Sequence, residues 1–256
     1  MINNVFIYSL IITSCIGCIA GYLGSLMVTK RMALMSGALG HLTLPGIAFG
    51  FLYGIDISLC ALAFLLFGSI IIWGLEQKTH LPTEAITAIV FSSSLALSFL
   101  ILPEAKAQQA LLGDISQLSL NLTLTTTFLC LCIFLIIRKL YSGLVLMSIS
   151  KDIAHTMGIT TKLYNLVYLI CIALTVAMGV RIIGGLMTSA LIAIPACTSK
   201  NLSRNIRHYA YLALVCGGSS CALATIIHLL IHIPIGPMIV LVNSVFFLFS
   251  LLAHKS

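Results

Sequence analysis

Charge is what this chain has least of. Asp, Glu, Lys and Arg make up 7% of its 256 residues, against roughly 25% in an ordinary soluble domain, which excludes a protein that keeps its whole surface in water. No apolar run holds two carboxylates and no G-x-S-x-G occurs. The paired groups that an intramembrane hydrolase needs on facing spans are therefore missing, and the chain reads as a non-enzyme. It also lacks G-x-x-x-x-G-K-[ST], so it has no P-loop with which to hydrolyse ATP. No Pro/Ser-rich linker, low-complexity tract or short-period repeat divides it, and one transmembrane domain over residues 1–256 is expected.

What fills the chain instead is apolar surface: 60% hydrophobic residues and a mean hydropathy of +1.17. The apolar runs recur from end to end, which does not fit a signal peptide or a single anchor. The first run is too long for a signal-peptide core and has no basic region ahead of it, so it reads as a retained span. All nine cysteines lie in apolar runs, where cysteine packs as a small hydrophobe. Even Cys15 and Cys18 have no histidine or second cysteine pair beside them. Asn121-Leu122-Thr123 matches a glycosylation acceptor, but so short a match at a span end carries no weight.

Spans of membrane-crossing length can be placed near Val5 to Val28, Ala33 to Tyr53, Ile57 to Leu75, Ala85 to Leu102, Leu118 to Ile137, Leu163 to Val180, Ile182 to Cys197, Tyr209 to Ile231 and Ile233 to Ala253. Lipid offers no partners to open backbone groups, so these spans should be helical. The expected fold is all-α, a polytopic membrane helix bundle of eight or nine transmembrane helices, with the short seventh span deciding the count. If the N-terminus lies outside and the C-terminus in the cytoplasm, the inner loops hold Lys30, Arg31, Lys78, Arg138, Lys139, Lys151, Lys162, Lys200, Arg204, Arg207 and Lys255, eleven of thirteen basic residues. Only Lys106 and Arg181 fall outside. The net charge of +7 is thus explained by topology, with no nucleic acid needed. The longest polar interruption runs from Arg138 to Lys162, and its apolar part, Leu144 to Ile149, is too short to span.

Three places hold groups that are awkward in a membrane. SGALGHLTLPGIAFGFL, residues 36–52, has His41 one turn before Pro45. The proline removes a backbone donor and clashes with the His41 carbonyl, so a kink is expected, and Gly37, Gly40, Gly46 and Gly50 thin the helix. Two readings stay open for His41: a core histidine bonded to a carbonyl, or a residue lining a pathway. His228 and His232 stand at i, i+4, one helix face, where they could share a metal ion or simply face water. IPIGPM then breaks the chain before the last span. In the inner loop, Asp152 and Gly158 fit a short helix capped at both ends.

RMALMSGALGHLTLPGIAFGFLYG resembles the A-L-M-x-D-A-L-S-H-x-x-L-P-G signature of the zinc/manganese/iron permease family of ABC transporters. RIIGGLMTSALIAIPACTSKNLSRNIR is similar to that family's G-x-L-L-x-x-A-L-L-x-x-P-A and basic loop, and HIPIGPMIVLVNSVFFLFSLL to its D-L-P-x-G-x-x-I-V-L. EAITAIVFSSSLAL and ALLGDISQLS match more weakly. The matches run in order over nearly the whole chain. The sequence departs from the pattern at Gly37 and Gly40, where the family has Asp and Ser, and at His232, where it often has Asp.

The resemblance implies a permease subunit of an ATP-driven importer in a bacterial inner (plasma) membrane. The cargo would be a divalent metal ion, zinc before manganese or iron because imidazole replaces carboxylate, with no permanently bound cofactor. His41, His232 and His228 are the implied metal residues. Asp152, Ala154 and Gly158 fall on a D/E-x-A-x-x-x-G pattern that implies coupling to a separate ABC ATPase subunit. The implied partners are that ATPase, an external metal-binding protein, a second copy in a homodimer, and membrane lipid. An ATP-independent metal channel or carrier, and a non-transporting scaffold, are the alternatives.

Overall fold

A computed structural model of the chain describes residues 2–32, 35–79, 81–101, 119–231 and 233–254. All regular structure among them is α-helical: α1 Ile2–Thr29, α2 Met35–His41, α3 Thr43–Tyr53, α4 Ile57–Lys78, α5 Thr83–Ile101, α6 Leu120–Ile149, α7 Lys151–Thr156, α8 Thr161–Ile182, α9 Gly185–Leu202, α10 Ile206–Ile231 and α11 Ile235–His254. Each expected span coincides with a helix, except that the second is split into α2 and α3.

The largest departures from the expected bounds are at the fifth and seventh spans. The fifth span does not stop at Ile137, since α6 continues to Ile149. The cause is a single buried stripe, Cys130, Ile133, Ile137, Tyr141 and Leu144, whose three- and four-residue spacing carries one helix face past Arg138 and Lys139. The seventh span runs from Gly185 to Leu202 rather than from Ile182 to Cys197, because Gly184 takes φ 100° and ends the turn before it.

The seventh span also explains the ambiguous count. Among the described residues, eight segments are long and apolar enough to cross a membrane by length and composition, and α9 is not among them. Yet its 18 residues rise about 27 Å, close to the ~30 Å of hydrocarbon. It packs against α1, α2, α8, α10 and α11, and no described side chain from Gly185 to Ser199 is exposed. Protein surrounds it, so it can carry Thr188, Ser189, Thr198 and Ser199 without facing lipid.

The α1, α9 and α10 helices touch through their backbones. A methyl group added at Gly21 would lie 2.1 Å from the Ala213 carbonyl oxygen, and one at Gly24 would lie 2.0 Å from that of Ile192. Only glycine permits such an approach. The same seam holds a hydrogen bond of 2.8 Å between the Thr13 and Thr225 hydroxyls. Beside it, Ser25 meets the Tyr141 hydroxyl at 3.1 Å.

One end of the bundle gathers the connections rich in Lys and Arg. There the ends of α1, α4 and α6 and the starts of α5 and α8 enclose one space, and the α1 end meets the α9–α10 connection. At this basic end the Trp73 indole N–H donates to the Lys162 carbonyl at 2.9 Å, Lys30 donates to Asn165 at 3.1 Å, and Asn165 donates to Glu76.

Candidate functional site

The split in the second span falls at His41 and Leu42. Pro45, in the first turn of α3, has no amide hydrogen for the His41 carbonyl one turn back. The Leu42 amide is shared between Ala38 and Leu39, at 3.2 and 3.1 Å. The Thr43 hydroxyl donates to the Gly40 carbonyl at 2.7 Å. Side chain and shared amide thus satisfy backbone groups that a continuous helix would have paired.

His41 is half-buried, its ring 5.1 Å from that of Phe91 on α5 and tilted 56° to it. Its Nδ1 is buried and has no hydrogen-bond partner. A histidine kept only for packing should find a carbonyl for that nitrogen, because an unsatisfied buried polar atom is costly. The carbonyl-bonded reading is therefore not what the geometry presents.

The two glycines that depart from the family signature differ in their surroundings. A methyl at Gly37, one turn before His41, would meet Ser189 at 3.6 Å, an ordinary contact, whereas a methyl at Gly40 would lie 2.5 Å from the Gly185 carbonyl oxygen. Position 37 has room for a larger residue. Position 40 does not, because α2 lies directly on the start of α9.

His228 sits in the last turn of α10, and its Nδ1 donates to the Ile233 carbonyl. That bond holds the proton on Nδ1 and leaves Nε2 as the nitrogen with a free lone pair. His232 lies outside the described residues. The element packed against both α2 and the α10–α11 hairpin is α9. Among the described residues, no group of three His, Cys, Asp or Glu side chains could hold a metal ion.

A feature the sequence did not announce is a cavity of about 560 Å³ between α3, α4, α6 and α8. It begins at Thr43, two residues beyond His41, and runs to Phe51, Ile57, Leu122 and Arg181 at the end of the bundle opposite the basic one. Thr43, Ile47 and Phe51 share one face of α3, and Leu174, Ala177, Met178 and Arg181 one face of α8. That periodicity was available in the sequence, but nothing there shows that the two faces stand apart.

At the basic end, the short helix has the expected caps with one shift. The first cap is Ser150, whose hydroxyl accepts from the Ile153 amide at 3.3 Å, and Asp152 lies in the first turn, where a carboxylate favours the helix dipole. Gly158 is left-handed at φ 76°. The Ile159 amide reaches back to Ala154 at 3.1 Å and the Gly158 amide to His155 at 3.0 Å, a Schellman closure. Ala154 is 0% exposed and so seats α7 on the bundle, while Ile153 at 50% and Met157 at 70% are exposed. The sequence pattern had singled out the seating residue and missed the exposed pair.

Residues 2–254 match the family described as the ABC 3 transport family. The chain belongs to that family. It is 28% identical over 250 residues to a manganese import system permease protein, ScaB, of Streptococcus parasanguinis, covering 96% of this chain and 89% of that one. It is 26% identical over 239 residues to the high-affinity zinc uptake system membrane protein ZnuB of Buchnera aphidicola, covering 91% of each. Among solved structures, PsaBC from Streptococcus pneumoniae in complex with Fab superimposes with a TM-score of 0.77 at 25% identity, covering 98% of this chain and 95% of that chain. Family and fold together make this a multi-pass membrane protein of the transport class.

Proposed function

We propose that the chain is the permease subunit of an ATP-driven importer of divalent transition metal ions, working as a homodimer with a separate ATPase and an external metal-binding protein. The observation that carries the ion path is the unpartnered Nδ1 of His41 at a helix break beside the 560 Å³ cavity. Manganese and zinc systems both occur among the relatives, which supports the metal class. The replacement of carboxylates by Gly37 and His232 favours zinc over manganese or iron.

In this reading the basic end faces the cytoplasm and the end bearing Arg181 faces outward. The external protein delivers the ion at the outer end. His41 holds it briefly, with His232 and His228 as further ligands, and the short α7 transmits the ATPase stroke through Ile153 and Met157, with Asp152 and Gly158 shaping the helix. The free imidazole nitrogen offers one neutral ligand of borderline softness, and a site built from few such ligands releases its ion readily.

The test is the metal content of cells with and without the gene, and with His41→Ala. Uptake should vanish in the variant while the protein still assembles in the membrane. Normal uptake by both His41→Ala and His232→Ala would sink the assigned path. A cytoplasm-only reporter fused at Ser256 should be active, and silence there with activity at an N-terminal fusion would reverse the orientation.

A further inference from the structure

The basic end holds a second cavity, of about 520 Å³, between the α1–α2 and α9–α10 connections. Arg31, Lys200 and Arg204 line it, with Ser203, Asn205 and Tyr209. Among the described residues, no carboxylate lines it, and the charged groups of these three side chains have no hydrogen-bond or ion-pair partner. The contrast with the adjoining residue is direct. Lys30 is bonded to Asn165 at 3.1 Å and lies 4.6 Å over the Tyr168 ring, so its charge is absorbed by the bundle. The charge of Arg31 is not.

Arg31 is also the one described non-glycine residue with positive φ, at 59°. It closes α1 by the same turn that closes α7, the Met32 amide reaching back to Met27 at 2.8 Å. At α7 the left-handed position is a glycine, the residue that tolerates it. At α1 the position keeps an arginine in an unfavourable backbone conformation, and Arg31 lines both this cavity and the neighbouring one that holds Glu76 and Glu84.

Three exposed cations around one cavity of about 520 Å³, at the opening of a 26-residue helix whose first amides have no helical acceptor, make a basic recess that favours an anion. The flanking residues say where the phosphate comes from. Leu202 and Ile206 are exposed beside the cavity, as an acyl chain would require, and basic pockets between membrane helices on the cytoplasmic side suit lipid headgroups. We propose that this cavity binds the phosphate of an anionic phospholipid of the inner leaflet, held by Arg31, Lys200 and Arg204 and stapling the end of α1 to the α9–α10 connection. The leaflet assignment rests on the orientation proposed above, and the binding does not.

Native mass spectrometry of the purified full chain, titrated with phosphatidylglycerol or phosphatidylcholine in detergent, tests it. Wild type should prefer phosphatidylglycerol by at least about tenfold, and Arg31→Gln/Lys200→Gln/Arg204→Gln should lose that preference, weakening binding on the order of a hundredfold. The charge-preserving Arg31→Lys/Lys200→Arg/Arg204→Lys should retain it, which separates lost charge from misfolding. Neutralising Arg138, Lys139 and Lys162 should leave the preference intact. Equal preference in wild type and the triple Gln variant overturns the proposal. So does protection from heat by millimolar inorganic phosphate equal to that by phosphatidylglycerol, since the ligand is then a soluble anion. Loss of a co-purifying ATPase with lipid preference unchanged overturns it too, because the patch is then a protein contact. The readout is independent of topology and of metal uptake, so either reading can fail alone.

Discussion

The two sides of the bundle are held together differently. On one side α1, α9 and α10 meet backbone to backbone, with glycine at each closest approach. On the other, the α3–α4 pair joins α8 at the basic end, through Trp73 to Lys162 and Glu76 to Asn165, and parts from α6 and α8 toward the opposite end around a 560 Å³ cavity. A seam without side chains has no slack, because displacing it breaks contacts along its whole length. The α3–α4 pair, bonded to α8 at one end and standing apart from it around the cavity at the other, has no such continuous seam. The second span lies on the border, with Gly40 against α9 and His41 against Phe91 of α5, so the residue proposed to hold the ion sits between the closely packed side and the open one.

The largest effect should come from placing a side chain in the seam. Gly21→Leu drives carbon into the Ala213 carbonyl, 2.1 Å from an added methyl, and backbone cannot move aside as a side chain can. Loss of the monodisperse protein on size exclusion is expected. Ala177→Leu adds the same kind of bulk at the cavity wall and should leave assembly intact, with a melting temperature within a few degrees of wild type. Equal damage from both would erase the distinction between the sides.

Next in size is the loss of coupling at the basic end. Ile153→Asp with Met157→Asp changes two exposed side chains, so the permease should fold while ATPase co-purification falls at least tenfold. Ala154→Arg, at a fully buried position, should instead lower stability by about 2–5 kcal/mol through an unpaired buried charge, read as a drop in melting temperature. If Ala154→Arg abolishes ATPase binding with melting unchanged, Ala154 faces the partner and α7 is seated differently.

A smaller, graded effect is expected from pH. Imidazole ligates metal only when neutral, and its unperturbed pKa is about 6.5, so uptake in proteoliposomes should decline as pH falls through roughly 6. Uptake that is flat down to about pH 5 would point to carboxylate ligands instead.

The helices were legible in the sequence because lipid forces every span to satisfy its own backbone, and the basic residues marked one end. The broken second span was legible too, from His41 and Pro45. The end of α6 was not, since Arg138 and Lys139 look like a boundary until the buried stripe through Tyr141 is seen. Nor was the status of α9, because hydropathy records what lipid would see and α9 sees protein. For the site, sequence named His41 but could not report that its Nδ1 has no partner, and it could not separate Ala154 from Ile153. Those distinctions depend on which way adjacent residues of one helix face.

The smallest expected effect is the most discriminating. Gly37 and Gly40 are three residues apart on α2, and both stand where the family signature has a polar side chain, yet only one faces an unyielding wall. Gly40→Ser puts its β-carbon within 2.5 Å of the Gly185 carbonyl oxygen, so α2 must move off α9, at about 1–3 kcal/mol. Gly37→Asp meets Ser189 at ordinary contact distance and should change the melting temperature little. It adds a carboxylate one turn from His41, so its effect should fall on selectivity, raising manganese uptake relative to zinc by a few-fold in competition assays. A stable Gly37→Asp protein with an unchanged metal ratio would mean that the ion passes elsewhere. A Gly40→Ser protein as stable as wild type would mean that α2 does not rest on α9, and the border between the closely packed and open sides would have to be redrawn.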